Sequence, residues 1–306
     1  MPDKHSVSIA YALLLISQVL LASNMIFARL IPDVEPFTLA FLRWAFASTI
    51  LLLFCRNSWP LMWRTFRNHS ALLFLCGFLA FWICGGIIYW GLKYSTATNG
   101  ILIYTTSPVI ILILEGIYRG RAVRIREIIG ILVALLGLFF IIFEGDVNKL
   151  LQLQFNPGDI MYLVSAIAWA VYSVILKAKQ FEALDAVPLL TIVALCGAVI
   201  LMPFAAYEVV KLDTFPTSQF EWLIIGCIVV FASIFSFSSF QTGIKTLGSS
   251  IAGIFMYLMA PCGIFLAWLI LGEILQDHHT IGTIFVMAGV ILATLPMQLL
   301  RKTANR

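Results

Sequence analysis

The sequence contains little charge and a large excess of hydrophobic residues. Of its 306 residues only 11% are charged and 61% are hydrophobic, whereas a soluble domain carries about 25% charged and about 45–50% apolar residues. A water-soluble fold of this composition would expose large apolar patches. The composition therefore predicts an integral membrane protein, with the lipid bilayer as one partner. The net charge of +4 is spread over short connections and does not indicate nucleic-acid binding.

The sequence also lacks the residue patterns of enzymes and metal centres. Its six cysteines show neither CxxC nor Cys/His ligand spacing. No H-E-x-x-H, Walker A or G-x-S-x-G motif occurs. The four histidines are expected in loops: His5, His69, His278 and His279. We therefore predict a protein that is not an enzyme, with no catalytic residue, no bound metal and no cofactor, whose work is driven by a solute or ion gradient.

Apolar runs of the length of a membrane span, about 20 residues, fill most of the chain. Ten can be counted, near residues 8–30, 36–55, 71–91, 96–117, 127–143, 159–177, 187–207, 221–241, 247–270 and 280–297. The longest polar break, from Glu144 to Asp159, separates five runs from five. With the N-terminus inside, fourteen Lys and Arg residues fall on the cytoplasmic side and three on the other. The positive-inside rule then predicts a multi-pass protein of the cell (inner) membrane with both termini in the cytoplasm.

Two segments of the chain are related to each other. Residues 91–108, GLKYSTATNGILIYTTSP, recur in altered form at residues 243–261, GIKTLGSSIAGIFMYLMAP. A basic stretch, RGRAVRIRE, follows the first copy, whereas GEILQDHH, with two acids and no Lys or Arg, follows the second. A duplicated segment whose flanking charge changes sign indicates two copies of opposite orientation. We predict an all-α membrane protein of ten transmembrane helices in a 5+5 inverted-topology repeat, with repeats at residues 1–145 and 155–300.

The fifth span of each predicted repeat carries a pair of glycines. Gly130 and Gly137 are seven residues apart, as are Gly282 and Gly289. Seven residues are about two helical turns, so each pair lies on one helix face. Small residues on one face let helix backbones approach closely in lipid. We predict that these glycines serve helix packing.

Three longer segments resemble the EamA-type branch of the drug/metabolite transporter superfamily. They are PFTLAFLRWAFA at residues 36–47, the first repeat copy, and SIAGIFMYLMAPCGIFLAWLILGE at residues 250–273. The resemblance covers essentially the whole chain and implies a transporter with a central cavity lined by spans 1, 3, 4, 6, 8 and 9. One departure is YRGR at the end of span 4, where the family often has an acidic residue. Glu115 lies earlier in that span.

Polar residues within spans are the first candidates for a site, because each must find a partner where water is absent. Arg43 either faces an anion on the substrate path or forms a structural contact, with Asp33, Glu35 or a backbone carbonyl. Asn24 either joins helices or lines a cavity. Glu115 either exchanges a proton or pairs with Arg119 one turn later. Each of these alternatives is open at the level of sequence.

Aromatic residues at helical spacing complete the candidate site. Tyr104 and Tyr257 occupy equivalent positions in the two repeat copies, and repeat-related residues converge near the middle of such transporters. The alternative for every aromatic residue is packing or a place at the membrane interface. The predicted substrate-binding set is Asn24, Trp82, Tyr89, Tyr104, Trp169, Tyr172, Ser236 and Tyr257. Pro108 and Pro261 are predicted to bend spans 4 and 9, as hinges or as static kinks.

The leading hypothesis is a secondary transporter of a small polar metabolite, with amino acids or related compounds as the expected class. Export by alternating access around a central cavity is the expected mechanism, and a monomer is the working oligomeric state. The alternatives are import of a nucleotide-like or other environmental metabolite, and a membrane enzyme or a receptor.

Overall fold

The computed structural model describes most of the chain. The described residues are 4–91, 93–95, 100, 103–104, 106–120, 122–148, 156–212, 215–266, 268–269 and 275–294. Helices make up the regular structure of this part of the chain, and no strand occurs in it. The protein is therefore an all-α membrane protein, as the composition predicts.

The main helices of the described residues are numbered here α1 to α10 in chain order. The first five are α1 (Lys4–Arg29), α2 (Pro36–Phe54), α3 (Arg56–Gly91), α4 (Ser107–Arg119) and α5 (Ile125–Phe143). The second five are α6 (Pro157–Ile175), α7 (Ala186–Leu212), α8 (Gln219–Leu247), α9 (Ser249–Leu266) and α10 (Asp277–Thr294). Most of their ends lie within a few residues of the ends of the predicted spans.

Eight helices in the described part of the chain are long and apolar enough to cross a bilayer. The two that fall outside this set are α4, whose apolar stretch is only Ser107–Tyr118, and α10, which begins with Asp277, His278 and His279. The count of ten spans therefore stays a prediction, although a multi-pass membrane protein is established.

Two expectations about loops are wrong. Residues 56–70, which the sequence leaves between the second and third predicted spans, belong to α3, which bends at His69 (φ −136°, ψ 30°). Before the bend this helix buries Met62 but exposes Trp63 and Arg64, the pattern of a helix lying at a membrane surface. Likewise, the four histidines lie in helices: His5 in α1, His69 at this bend, and His278 and His279 in the first turn of α10.

Two helices contain wider, π-helical turns. They occupy Phe78–Ile87 within α3 and Ile228–Phe235 within α8. The hydroxyl of Ser233 donates to the carbonyl of Ile228, five residues earlier, at 3.0 Å. A π-helical turn shifts backbone carbonyls away from their usual partners and is frequent at functional sites. The two helices are the third in each predicted repeat.

The aligned lysines of the two repeat copies make equivalent contacts. Lys93, just after α3, forms an ion pair with Glu35, which lies between α1 and α2. Lys245, near the end of α8, donates to the carbonyls of Phe181 and Leu184, which lie between α6 and α7. In each half the lysine ties the third helix to the connection between the first and second helices.

Helices α5 and α10 pack so closely at their glycines that there is no room for a β-carbon. A β-carbon at Gly130 would lie 2.6 Å from the carbonyl oxygen of Gly289, and one at Gly137 would lie 2.6 Å from that of Gly282. Real β-carbons do not approach backbone atoms this closely. The glycine pairs therefore pack against each other, in the structural role that their spacing predicts.

We expect Gly137→Val to force α5 and α10 apart. Because the obstruction is backbone rather than a movable side chain, overpacking should lower the free energy of unfolding by about 1–3 kcal/mol or prevent folding. The matched control is Gly226→Val, since nothing lies within 4 Å of a β-carbon at Gly226. Thermal unfolding in detergent measures both variants. Equal melting temperatures for the two would contradict the packing assignment.

Candidate functional site

A cavity of about 90 Å³ lies among helices from both halves of the chain. Its lining combines apolar, aromatic and a few polar side chains, the composition of small-molecule sites. The lining residues are Leu21, Asn24, Arg43, Cys84, Ile88, Tyr89, Gly100, Tyr104, Tyr162, Trp169, Phe237, Met256 and Met259. The resemblance implied spans 1, 3, 4, 6, 8 and 9, and the structure adds α2 through Arg43.

Arg43 is the charged residue of this lining, and its side chain is only 4% exposed. Its Nε donates to Ser233 Oγ at 2.6 Å, and its Nη2 donates to the carbonyl oxygen of Ala232 at 2.9 Å. Its Nη1 lies 3.2 Å from both Asn24 Oδ1 and the Tyr89 hydroxyl. Four neutral acceptors on three other helices therefore hold the guanidinium in one orientation.

Among the described residues, Arg43 has no carboxylate partner. Glu35, one of the two acids that the sequence offered, binds Lys93 instead. The predicted contact with a backbone carbonyl does form, through Ala232. The guanidinium also lies 4.8 Å from the ring centre of Trp44 and 5.5 Å from that of Phe237, and such ring faces attract cations.

A buried carboxylate on α7 fixes the start of the helix that carries Arg43. Glu208 accepts hydrogen bonds from the backbone N–H groups of Phe37 and Thr38, at 3.2 and 2.7 Å, and from the Thr38 hydroxyl at 2.9 Å. The first N–H groups of a helix have no partner within the helix and attract anions. Glu208 thereby satisfies them and sets the position of α2 against α7.

Asn24 and Tyr89 complete a polar group at the cavity. The Asn24 amide nitrogen lies 2.9 Å from the Tyr89 hydroxyl, which in turn lies 3.0 Å from Asn24 Oδ1. Because both residues also contact Arg43, the two roles proposed for Asn24, joining helices and lining a cavity, coincide.

The other wall of the cavity is aromatic. Tyr104 and Trp169 have ring centres 6.5 Å apart, and Trp169 packs edge-on against Phe237 at 5.8 Å. The indole N–H of Trp169 points at the sulfur of Met256, 3.0 Å away. Apolar groups on α6, α8 and α9 thereby complete the lining around the polar group.

The repeated glycines make room for close contacts. A β-carbon at Gly100 would lie 2.6 Å from the Tyr162 ring, and one at Gly253 would lie 3.0 Å from Ile111. The first contact places Tyr162 in the cavity wall. Sequence reasoning missed Tyr162, yet it precedes Trp169 by seven residues and so lies on the same face of α6.

Four of the residues predicted to bind substrate lie outside the cavity lining. Trp82 packs against Phe37, Phe78 and Phe204. The remaining three are buried: Tyr172, whose hydroxyl accepts from Gln241 at 2.5 Å, Ser236, which donates to the Ser17 carbonyl at 3.0 Å, and Tyr257, whose side chain is 0% exposed. These four residues have the helical spacing on which the prediction was based, but their side chains make packing contacts and do not line the cavity.

Sequence reasoning also passed over apolar lining residues. Leu21, Ile88, Phe237, Met256 and Met259 belong to ordinary apolar runs. Nothing in a single sequence distinguishes a side chain that faces a small cavity from one that faces another helix or lipid.

A second polar contact joins the two halves at the opposite end of the bundle. The carboxylate of Glu115, near the end of α4 and 4% exposed, accepts hydrogen bonds from the hydroxyls of Ser249 and Ser250 at the start of α9. The side chain of Arg119, its predicted partner, lies outside the described residues. Both halves of the chain thus contribute to one buried polar contact.

The two prolines predicted to bend spans 4 and 9 lie in different surroundings. Pro108 lies in the first turn of α4, where its missing N–H costs no hydrogen bond. Pro261 follows a 3₁₀ turn, Met256–Leu258, that interrupts α9.

Among the described residues no group of three His, Cys, Asp or Glu side chains could hold a metal ion.

A multi-pass helical protein with a cavity lined by both halves of the chain is compatible with a membrane transporter, and the comparisons with known proteins agree. The model of the EamA-like transporter family matches residues 8–143 and 156–295. The chain is 24% identical to the uncharacterized transporter YetK of Bacillus subtilis (strain 168) over 94% of this chain and 87% of the relative. It is 26% identical to an uncharacterized transporter of Archaeoglobus fulgidus over 93% and 96% of the two chains.

A solved crystal structure shares the fold, with a TM-score of 0.74 over 99% of both chains at 16% identity. The match of the family model to most of the sequence settles the wider classification. The chain belongs to the EamA-like transporter family.

We expect the double variant Ser249→Ala, Ser250→Ala to weaken the contact between α4 and α9. Removing both hydroxyls leaves a buried carboxylate with fewer donors, which should lower the free energy of unfolding by about 1–3 kcal/mol. The same two changes should cost less in a Glu115→Gln background, because a neutral side chain tolerates the loss better. Thermal unfolding of the four proteins measures this cycle.

Thr49→Ala is the control for that cycle, since this exposed hydroxyl bonds only within its own helix, to the Ala45 carbonyl at 2.7 Å. Identical losses with Glu115 intact and in the Glu115→Gln background would mean that the serines do not act through the carboxylate.

Proposed function

We propose that this protein is a secondary transporter of a small polar metabolite, with amino acids or related compounds as the expected class, and that it exports its solute by alternating access. The observation that carries the proposal is the cavity itself. It is enclosed by helices from both halves of the chain and combines one fixed polar group with an aromatic and apolar wall. Such a site can bind a solute on the path between the two sides of a membrane.

Polar contacts near both ends of the helix bundle support alternating access. The cavity polar group lies where α1 and α3 end and α2 begins, whereas the Glu115 contact joins the opposite ends of α4 and α9. A cavity of about 90 Å³ is also smaller than the roughly 300–1,000 Å³ of small-molecule sites. We therefore expect the helices to move when a metabolite binds, and a polar contact between the halves is a suitable point of opening.

Three observations support a 5+5 inverted repeat. The third and eighth helices both contain π-helical turns. The aligned lysines, Lys93 and Lys245, make equivalent contacts. The family model matches two stretches of similar length, residues 8–143 and 156–295. An inverted repeat of this kind provides two alternative packings of the same elements, which is the structural basis of alternating access.

The alternatives are less well supported. A nucleotide-like solute would bring two or more negative charges, yet the described cavity lining offers one cation, Arg43. An enzyme or a receptor gains no specific support from the cavity or from the comparisons.

The proposed topology places both termini in the cytoplasm. We expect green fluorescent protein fused to the C-terminus of the full chain to fluoresce and alkaline phosphatase fused there to be inactive, because the first matures in the cytoplasm and the second outside it. The excess of Lys and Arg on one side is the physical reason. The reverse pair of results would invert the topology.

Transport by the purified protein tests the proposal directly. We expect proteoliposomes to take up at least one labelled solute from a panel of amino acids, organic acids, amines and sugars. Tyr104→Ala should lower that uptake about tenfold or more, because it removes part of the aromatic wall. Tyr118→Ala is the matched control on α4, with a side chain that is 80% exposed and remote from the cavity.

Tyr257→Ala, assayed in parallel, separates the two repeat-related tyrosines, and we expect Tyr104 to matter more because only Tyr104 lines the cavity. If folded protein moves no solute in the panel, the proposal of metabolite transport fails.

A further inference from the structure

The positive charge of Arg43 is not balanced by any acidic residue in the described cavity lining. Its guanidinium is buried among helices that cross the membrane, and all four of its hydrogen-bond partners are neutral. Neutral acceptors satisfy N–H groups, but they do not cancel the charge. An unpaired charge in this environment costs several kcal/mol. The residue is therefore placed where an anion from outside the protein would compensate it.

The contacts leave Arg43 prepared for such an anion. Nη1 meets Asn24 and Tyr89, which both line the cavity, while Nε and Nη2 are anchored to Ser233 and Ala232 on α8. A guanidinium has five N–H groups, and these contacts use four. The Nε and Nη2 contacts thus hold the planar group from α8, while Nη1 lies beside two cavity-lining groups that it already contacts, the Asn24 amide and the Tyr89 hydroxyl.

We propose that the cavity binds its solute as an anion, through a carboxylate on Arg43, Asn24 and Tyr89. This inference rests on the proposed transport function and names its substrate class: small organic solutes that carry one carboxylate. Arginine matches a carboxylate in charge and in planar geometry. One cation pairs with one negative charge, so that a monocarboxylate leaves the site neutral.

The apolar part of the lining determines the rest of the solute. Trp169, Tyr104 and Met259 present aromatic and apolar surface, and the described lining contains no Asp or Glu. An ammonium group would therefore find no carboxylate there. The carboxylate is required for recognition, whereas the α-amino group of an amino acid is not.

A series of matched solutes tests this inference without altering the protein. Labelled propanoate, 4-methylpentanoate and 3-phenylpropanoate are compared in proteoliposomes with their primary amides, with their α-amino acid counterparts and with the amines of the same tails. For every tail that is transported, we expect the acid to move at least tenfold faster than its amide and its amine. We also expect removal of the α-amino group to leave transport within a few-fold.

Variants of Arg43 connect the preference to the residue. Arg43→Gln should lower acid transport on the order of 10- to 100-fold, as expected for the loss of charge-assisted hydrogen bonds, and should move the preference towards the amide. Arg43→Lys keeps the charge and should keep the preference for the acid with weaker transport. Arg64→Gln is the control, because this arginine is exposed and lies outside the cavity.

The possible outcomes separate the two proposals. If solutes move but amides or amines match the acids, the carboxylate assignment is overturned and transport stands. An Arg43→Gln protein that folds and still prefers acids also overturns it. If this variant does not fold, the acid-to-amide ratio of the unaltered protein and of Arg43→Lys decides the matter. If no solute moves at all, it is the proposed function that fails.

Discussion

The guanidinium of Arg43 depends on four helices at once, and this constraint organises the centre of the protein. In a bilayer every polar group needs a partner within the protein, so Asn24, Tyr89 and the Ser233 segment must be held in fixed positions around one side chain. The π-helical turn in α8 contributes the Ala232 carbonyl, and Glu208 on α7 fixes the start of α2. The neighbouring structure thus serves to hold one cation at a cavity wall.

The same need for polar partners is met at other places in the helix bundle. Polar contacts join helix ends on both sides of the bundle. At one end Lys93 pairs with Glu35, and at the other end Lys245 and Glu115 make two separate contacts, with a backbone carbonyl and with serine hydroxyls. Lipid tails are as apolar as the helix surfaces, so the hydrophobic effect does not drive helices together within the bilayer. Close glycine packing, as between α5 and α10, and a few polar contacts therefore hold neighbouring helices together.

Sequence patterns predicted the elements better than the site. The apolar runs predicted nearly all helix positions, because crossing a bilayer imposes length and composition. The amphipathic part of α3 around Trp63 and Arg64 was missed because an interfacial helix has too many charges to read as a span. Of the aromatic candidates, Tyr89, Tyr104 and Trp169 line the cavity, whereas Trp82, Tyr172 and Tyr257 do not. Helical spacing identifies a face but does not identify its neighbour.

By itself the sequence determined that the chain is a helical membrane protein, predicted an internal repeat, and marked Arg43 as a residue in need of a partner, because these follow from local composition and spacing. Only the tertiary structure decided what that partner is. It brought Asn24, Tyr89 and Ser233 to the guanidinium from positions 19, 46 and 190 residues away along the chain, and it paired Glu35 with Lys93 instead. Which groups satisfy a buried charge depends on how helices pack, and packing is a property of all the helices together.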